Sequence, residues 1–218
     1  SYWGHWVAAI DGLGTATALF AFHDDAGNEQ EFIAADCTGR LHKARPISTE
    51  EFKYLRTVAH GTPKITMPSP STLHFWRLSD TIEGTPYATD EDYFADLTAI
   101  YHQEIDDLYA LGCRYVQLDE VPLIMLGNPN IRRRVRELGS DPDRLTDLYI
   151  QAMNDAVRDR PADMTGGMHM CRGNFKGKWL TEGGYDPMAE KVFGQVDVDV
   201  FFLEYDTERA GGFEPLRF

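Results

Sequence analysis

The chain is poor in cysteine: Cys37, Cys113 and Cys171 are the only three in 218 residues, and they are widely scattered. That excludes a framework of paired disulfides and favours a reducing compartment, the cytoplasm by default. Long apolar runs are also missing, so no membrane-spanning helix is expected. Basic residues are scarce, with 21 Lys and Arg against 35 Asp and Glu, and the resulting net charge of −14 would repel nucleic-acid backbones and anionic lipid surfaces. The opening residues SYWGHW show neither the basic nor the apolar segment of a signal peptide. They do not begin with Met, which leaves open a processed end or a fragment. Repeats, low-complexity tracts and interdomain linkers are absent too. A single domain over residues 1–218 follows, with an apolar fraction of 43% that is ordinary for a globular core.

What is present alternates. Residues 3–22 mix aromatics with small residues, and Gly12 and Gly14 interrupt any long helical pattern. The turn formers HDDAGN at 23–28 precede a short expected strand at 29–35. Ser48 followed by Glu51 resembles a capping box opening a helix that runs to about residue 60. A strand-like piece from residue 64 is stopped by Pro68 and Pro70. Thr89 can cap a long helix over 91–111, in which Phe94, Leu97, Tyr101, Ile105 and Leu108 recur on one face. Gly112 ends it, and the strand at 114–118 delivers Asp119 and Glu120. Helices are expected at 132–138, 143–158 and 188–193, and strands at 163–171 and 198–205. Strand, helix, strand, helix, with polar groups at successive strand ends, predicts a parallel α/β architecture, and in a barrel those ends share one face.

Three stretches carry possible chemistry. In GGMHMCRGN, residues 166–174, His169 and Cys171 stand two apart, so on a strand they point to one face about 6.6 Å apart. An imidazole and a thiolate favour zinc, and Glu204 at the next strand end could add a carboxylate. Taken alone, a His-x-Cys also fits an ordinary core strand, and Glu204 a solvent-facing acid. Asp119 and Glu120 could grip a substrate ammonium group or form a solvated turn before Pro122. The run SPSTLHFW, 69–76, offers the hydroxyls of Ser69 and its neighbours, the imidazole of His74 and the indole of Trp76. It could lie beneath a flat heterocycle or simply pack a core.

Taken together, KITMPSPSTLHFW (64–76), YVQLDEVP (115–122), MHMCRGN (168–174) and FFLEYDTERAG (201–211) resemble the cobalamin-independent methionine synthase family, closest to its short single-barrel members. The resemblance implies a (β/α)8 TIM barrel and a zinc ion held by His169, Cys171 and Glu204. It places Asp119 against the amino group of homocysteine and Trp76 against the folate pterin ring, and Ser69 of the same run is a further candidate for substrate binding. The implied reaction moves a methyl group from a 5-methyltetrahydrofolate polyglutamate to the homocysteine thiol, with Glu120 or His74 as the acid that protonates the departing nitrogen. Two departures stand out. No cysteine follows Cys171, so the family's last zinc ligand is missing, and strands expected before and after the chain are absent. The barrel is therefore expected to be incomplete at both ends, and exposed sheet edges would favour homo-oligomers. The same motifs accommodate alkylation of another thiol, such as coenzyme M by an epoxide, or a noncatalytic zinc-binding remnant.

Overall fold

Four parallel strands form the centre of a computed structural model that describes residues 3–205, 207–208 and 210–218. In chain order, α1 (Gly4–Val7) leads into β1 (Ile10–Thr17), β2 (Phe22–His23), β3 (Glu29–Gln30), β4 (Ile33–Lys43) and α2 (Thr49–Val58). Then β/α units follow: β5 (Ile65–Pro68), α3 (Asp90–Ala110), β6 (Tyr115–Glu120), α4 (Pro122–Met125), α5 (Pro129–Glu137), α6 (Pro142–Val157) and β7 (Thr165–Met170). A small hairpin, β8 (Asn174–Phe175) and β9 (Lys178–Trp179), precedes α7 (Asp186–Gln195) and β10 (Val200–Leu203). The parallel sheet has the order β10-β7-β6-β5.

The fold is mixed α/β, and among the described residues the four parallel strands form an open sheet and no complete barrel. Closure would need the early strands to join the parallel sheet. Instead β1 and β4 pair only with each other, antiparallel, with a register break between Asp11 and Leu13. The break falls at Gly12, which has a φ of +86° and where a Cβ would meet the Arg40 carbonyl oxygen at 2.4 Å. The expected strand at 29–35 is divided, with Glu29 and Gln30 forming β3 and residues 33–35 opening β4, which runs on through Cys37 and Gly39 to Lys43. No helix among the described residues is long and apolar enough to cross a membrane.

Strand alternation divides the parallel sheet into two faces. Val116, Leu118 and Met168 are buried in the hydrophobic core, which also takes in the apolar faces of α3 and α6. The other face carries Lys64, Thr66, Gln117, Asp119, His169 and Phe202, and there Thr66 is exposed while Asp119, His169 and Phe202 are half-buried.

Local signals set most helix ends. The Asp92 N–H donates to Thr89 Oγ1 at 3.1 Å, and Gly112 with φ +93° closes α3. Replacing Thr89 by Ala should cost about 1 kcal/mol, checked as a shift of the urea midpoint at unchanged slope. The capping box at Ser48 does not form. The Ser48 and Ile47 N–H groups donate instead to the buried Glu104 carboxylate of α3, at 2.6 and 3.1 Å, and Glu104 also pairs with Lys43 of β4 at 2.7 Å. Glu104 thus takes the Ser48 N–H that the Glu51 carboxylate would receive in a capping box.

A second, four-stranded antiparallel sheet of order β3-β2-β9-β8 joins residues 22–30 to residues 174–179. Lys178 Nζ lies 2.5 Å from Asp24 Oδ2 and donates to the Asn28 carbonyl at 3.0 Å, stapling the two segments. This sheet flanks an aromatic cluster of Phe22, Phe32, Phe175 and Trp76, with ring centroids 4.8 to 5.7 Å apart.

Candidate active site at the strand ends

The carboxyl ends of β6, β7 and β10 bring four of the expected residues into one neighbourhood. Asp119 stands opposite His169 in the β6–β7 ladder, and His169 stands opposite Phe202 in the β7–β10 ladder. Asp119 Oδ1 lies 3.6 Å from His169 Nδ1, within ion-pair reach, and accepts a hydrogen bond from Gln117 Nε2 at 2.7 Å. Cys171 is one residue past the end of β7 and mostly buried. Burial pushes its thiol above the ordinary value, and the charges of Glu204 and Asp119 add to that against a backbone hydrogen bond at Gly173 and the charge of Arg172. A free thiol in such surroundings keeps its proton, so ligation would have to displace it.

Glu204 follows β10, and its carboxylate faces Arg172 Nη1 at 3.5 Å. Arg172 is almost completely buried: Nε donates to the Gly183 carbonyl at 2.5 Å, Nη2 to the Ala210 carbonyl at 2.8 Å, and the guanidinium stacks 4.6 Å from the Tyr185 ring centroid. Tyr185 then ties the two strand ends together, because its hydroxyl donates to the Met170 carbonyl and accepts from the Glu204 N–H, both at 2.9 Å. Sequence reasoning missed Tyr185 and Arg172. The only visible signal was the position of Arg172 immediately after Cys171.

As a zinc site the donors fit in kind, since imidazole, thiolate and carboxylate are all zinc ligands and here occupy adjacent strand ends. As placed they are incomplete. Among the described residues no three His, Cys, Asp or Glu side chains are gathered closely enough to hold a metal ion, and Glu204 is engaged by Arg172.

The remaining candidates lie elsewhere. Asp119 and Glu120 are neighbours in sequence, but a strand sends them to opposite faces, and Glu120 lies apart from the group at the strand ends. Glu120 is fully buried, accepts from the Leu123 N–H at 2.6 Å and from the Ser71 hydroxyl, and through Ser71 joins Ser69 Oγ at 2.8 Å. Burial raises its pKa from 4.5 to about 7, against the hydrogen bonds of Ser71, Leu123 and Ser69. His74 is buried with both ring nitrogens occupied, Nδ1 by the Tyr149 hydroxyl at 2.9 Å and Nε2 by Asp90 Oδ1 at 3.2 Å. It links α3 to α6, and this placement gives it no open nitrogen for a substrate proton. Trp76 is 5% exposed within the aromatic cluster, and its indole N–H has no partner among the described residues. Ser69 is wholly buried, with its N–H on the Asp119 carbonyl at 3.0 Å.

Fold and site together define an α/β protein with acid, imidazole and thiol groups clustered at the carboxyl ends of parallel strands. The chain is similar to proteins named methionine synthase. It is 25% identical over 175 residues to methionine synthase of Pyrococcus horikoshii, covering 80% of this chain and 42% of that protein. It is 41% identical over 182 residues to the uncharacterized protein YxjH of Bacillus subtilis, covering 83% of this chain and 48% of YxjH. Among solved structures, a Listeria monocytogenes protein assigned as a vitamin-B12-independent methionine synthase superposes with a TM-score of 0.66 at 29% identity, covering 94% of this chain and 54% of that one. A B12-independent methionine synthase from Shewanella shares the fold with a TM-score of 0.63 at 16% identity. No protein-family model matches the chain. The chain spans about half the length of its Bacillus subtilis relatives.

Proposed function

We propose that this protein is a zinc-dependent methyltransferase that moves a methyl group from a 5-methyltetrahydrofolate polyglutamate to the thiol of homocysteine, giving methionine. The observation that carries this reading is the meeting of Asp119, His169, Cys171 and Glu204 at three adjacent strand ends, in a chain similar to methionine synthases. His169, Cys171 and Glu204 would hold the zinc. When bound, zinc supplies a Lewis acid that keeps a coordinated substrate thiol deprotonated at neutral pH.

The chain's own residues do the rest. Asp119 Oδ2 has no protein partner among the described residues, so it is available to the substrate ammonium while Oδ1 faces His169. Glu204 must turn from Arg172 to join Cys171, and Tyr185 keeps the two strand ends at fixed separation while it does so. Glu120, with a pKa of about 7, is protonated in about half of the molecules at neutral pH, and the hydroxyls of Ser71 and Ser69 could pass that proton on toward the donor nitrogen.

The test supplies zinc, homocysteine and 5-methyltetrahydrofolate triglutamate to the protein and measures methionine. Methionine above the protein-free control is the expected result. Alkylation of coenzyme M by an epoxide, with no methionine, would replace this reading by another thiol alkylation. Tight zinc binding without either product would leave a noncatalytic metal module.

A further inference from the structure

We propose that Gln117 and Lys64 are positioning residues for His169, forming a relay across the open face of the sheet that fixes which imidazole nitrogen is free to bind metal. The inference rests on the reading of His169 as a ligand. Lys64, just before β5, places Nζ 2.6 Å from Gln117 Oε1. An ammonium group can only donate, so the amide must turn its oxygen to Lys64 and its NH2 to the far side. There Gln117 Nε2 donates to Asp119 Oδ1 at 2.7 Å, and that same oxygen faces His169 Nδ1 at 3.6 Å.

Donation therefore converges on the carboxylate, from ammonium to amide to Asp119 Oδ1 on one side and from the imidazole Nδ1–H toward the same oxygen on the other. A carboxylate oxygen beside Nδ1 favours the proton on that nitrogen, which leaves the Nε2 lone pair as the ligating one. Asp119 cannot swing freely to meet the ring, because Gln117 anchors it.

The cation at the start of the relay is itself held. Lys64 Nζ lies 4.4 Å from the Phe202 ring centroid and 5.5 Å from that of Tyr115, so two aromatic faces stabilise the ammonium. Phe202 reaches across β7 because residue 167 is glycine: a Cβ there would stand 3.0 Å from Phe202 Cε2. Gly167 is also the register partner of Gln117, directly below the pairing of Asp119 with His169. Gly167, the second of the two glycines before the His-x-Cys pair, thus makes room for the relay, a purpose distinct from the metal itself.

The test reads the tautomer of His169 by long-range 1H–15N correlation in the metal-free protein, with the signal assigned through His169→Ala. Wild type should show the Nδ1-protonated form in excess. Gln117→Met and Lys64→Met, which keep side-chain length, should shift it to a mixture, and Lys64→Arg should restore the excess. Zinc affinity should fall about 10- to 100-fold in Gln117→Met. An unchanged tautomer in folded Gln117→Met or folded Lys64→Met overturns the relay, and if the first fails to fold the second decides. Because the tautomer is read without metal, a wild-type protein that shows it but binds no zinc would support the relay while rejecting the ligand reading.

Discussion

Replacing His169 and Cys171 together by alanine should reduce a stoichiometric zinc load to background. Both donors sit at the end of one strand, so the double change removes the imidazole and the thiolate and leaves only the Glu204 carboxylate, already committed to Arg172. Structural zinc sites with four ligands bind with about 10–16 kcal/mol, so losing two of three donors should weaken binding at least about a thousandfold. Neither side chain is fully buried, and the fold should survive, which circular dichroism can verify. Metal analysis of the two proteins after identical loading decides the matter, and equal zinc in both would remove the basis of the proposed chemistry.

Stability should fall as the pH rises through neutrality, and Glu120→Gln should abolish that part of the fall. The folded pKa of about 7 lies above the ordinary 4.5, so between these values the folded state binds more protons than the unfolded one. The sign then follows: the contribution is fully present below about pH 4.5 and is lost as pH climbs through about 7. A shift of that size corresponds to roughly 3 kcal/mol between pH 4 and pH 8. Glutamine can still accept from the Leu123 N–H and donate to Ser71, so its own stability should be flat over this window. Urea unfolding of both proteins at pH 4.5 and pH 8 measures the difference. Parallel curves at the two pH values would show that Glu120 ionises in the fold as easily as in the unfolded chain.

The contest for Glu204 gives the site its particular character. Arg172 is buried between Tyr185 and two backbone carbonyls, so its charge cannot move to solvent and needs a counterion nearby. Glu204 meets that need. On the proposed reading, taking Glu204 as a ligand would leave Arg172 with its two carbonyls and the Tyr185 ring, which would couple zinc binding to the surroundings of Arg172.

Several features were legible in sequence because they are local. The cap at Thr89, the stop at Gly112 and the strand that ends in Asp119 depend on residues within a few positions of one another. The His-x-Cys spacing required only that a strand alternate. Alternation also sends the adjacent acids Asp119 and Glu120 to opposite faces of β6, one toward His169 and the other into the core. Ser48 misled because its competitor, Glu104, is 56 residues away.

By itself, then, the sequence determined the order of the strands and helices and the spacing of the candidate residues along them, since motif and periodicity are properties of short stretches. Tertiary structure alone decided what each one faces. Pairing of β1 with β4 leaves the parallel sheet open, residues 22–30 and 174–179 form a common sheet beside Trp76, and Tyr185 joins the ends of β7 and β10. Each of these depends on contacts between segments far apart in the chain, chosen by burial and charge compensation across the whole fold, and no local pattern encodes such a choice.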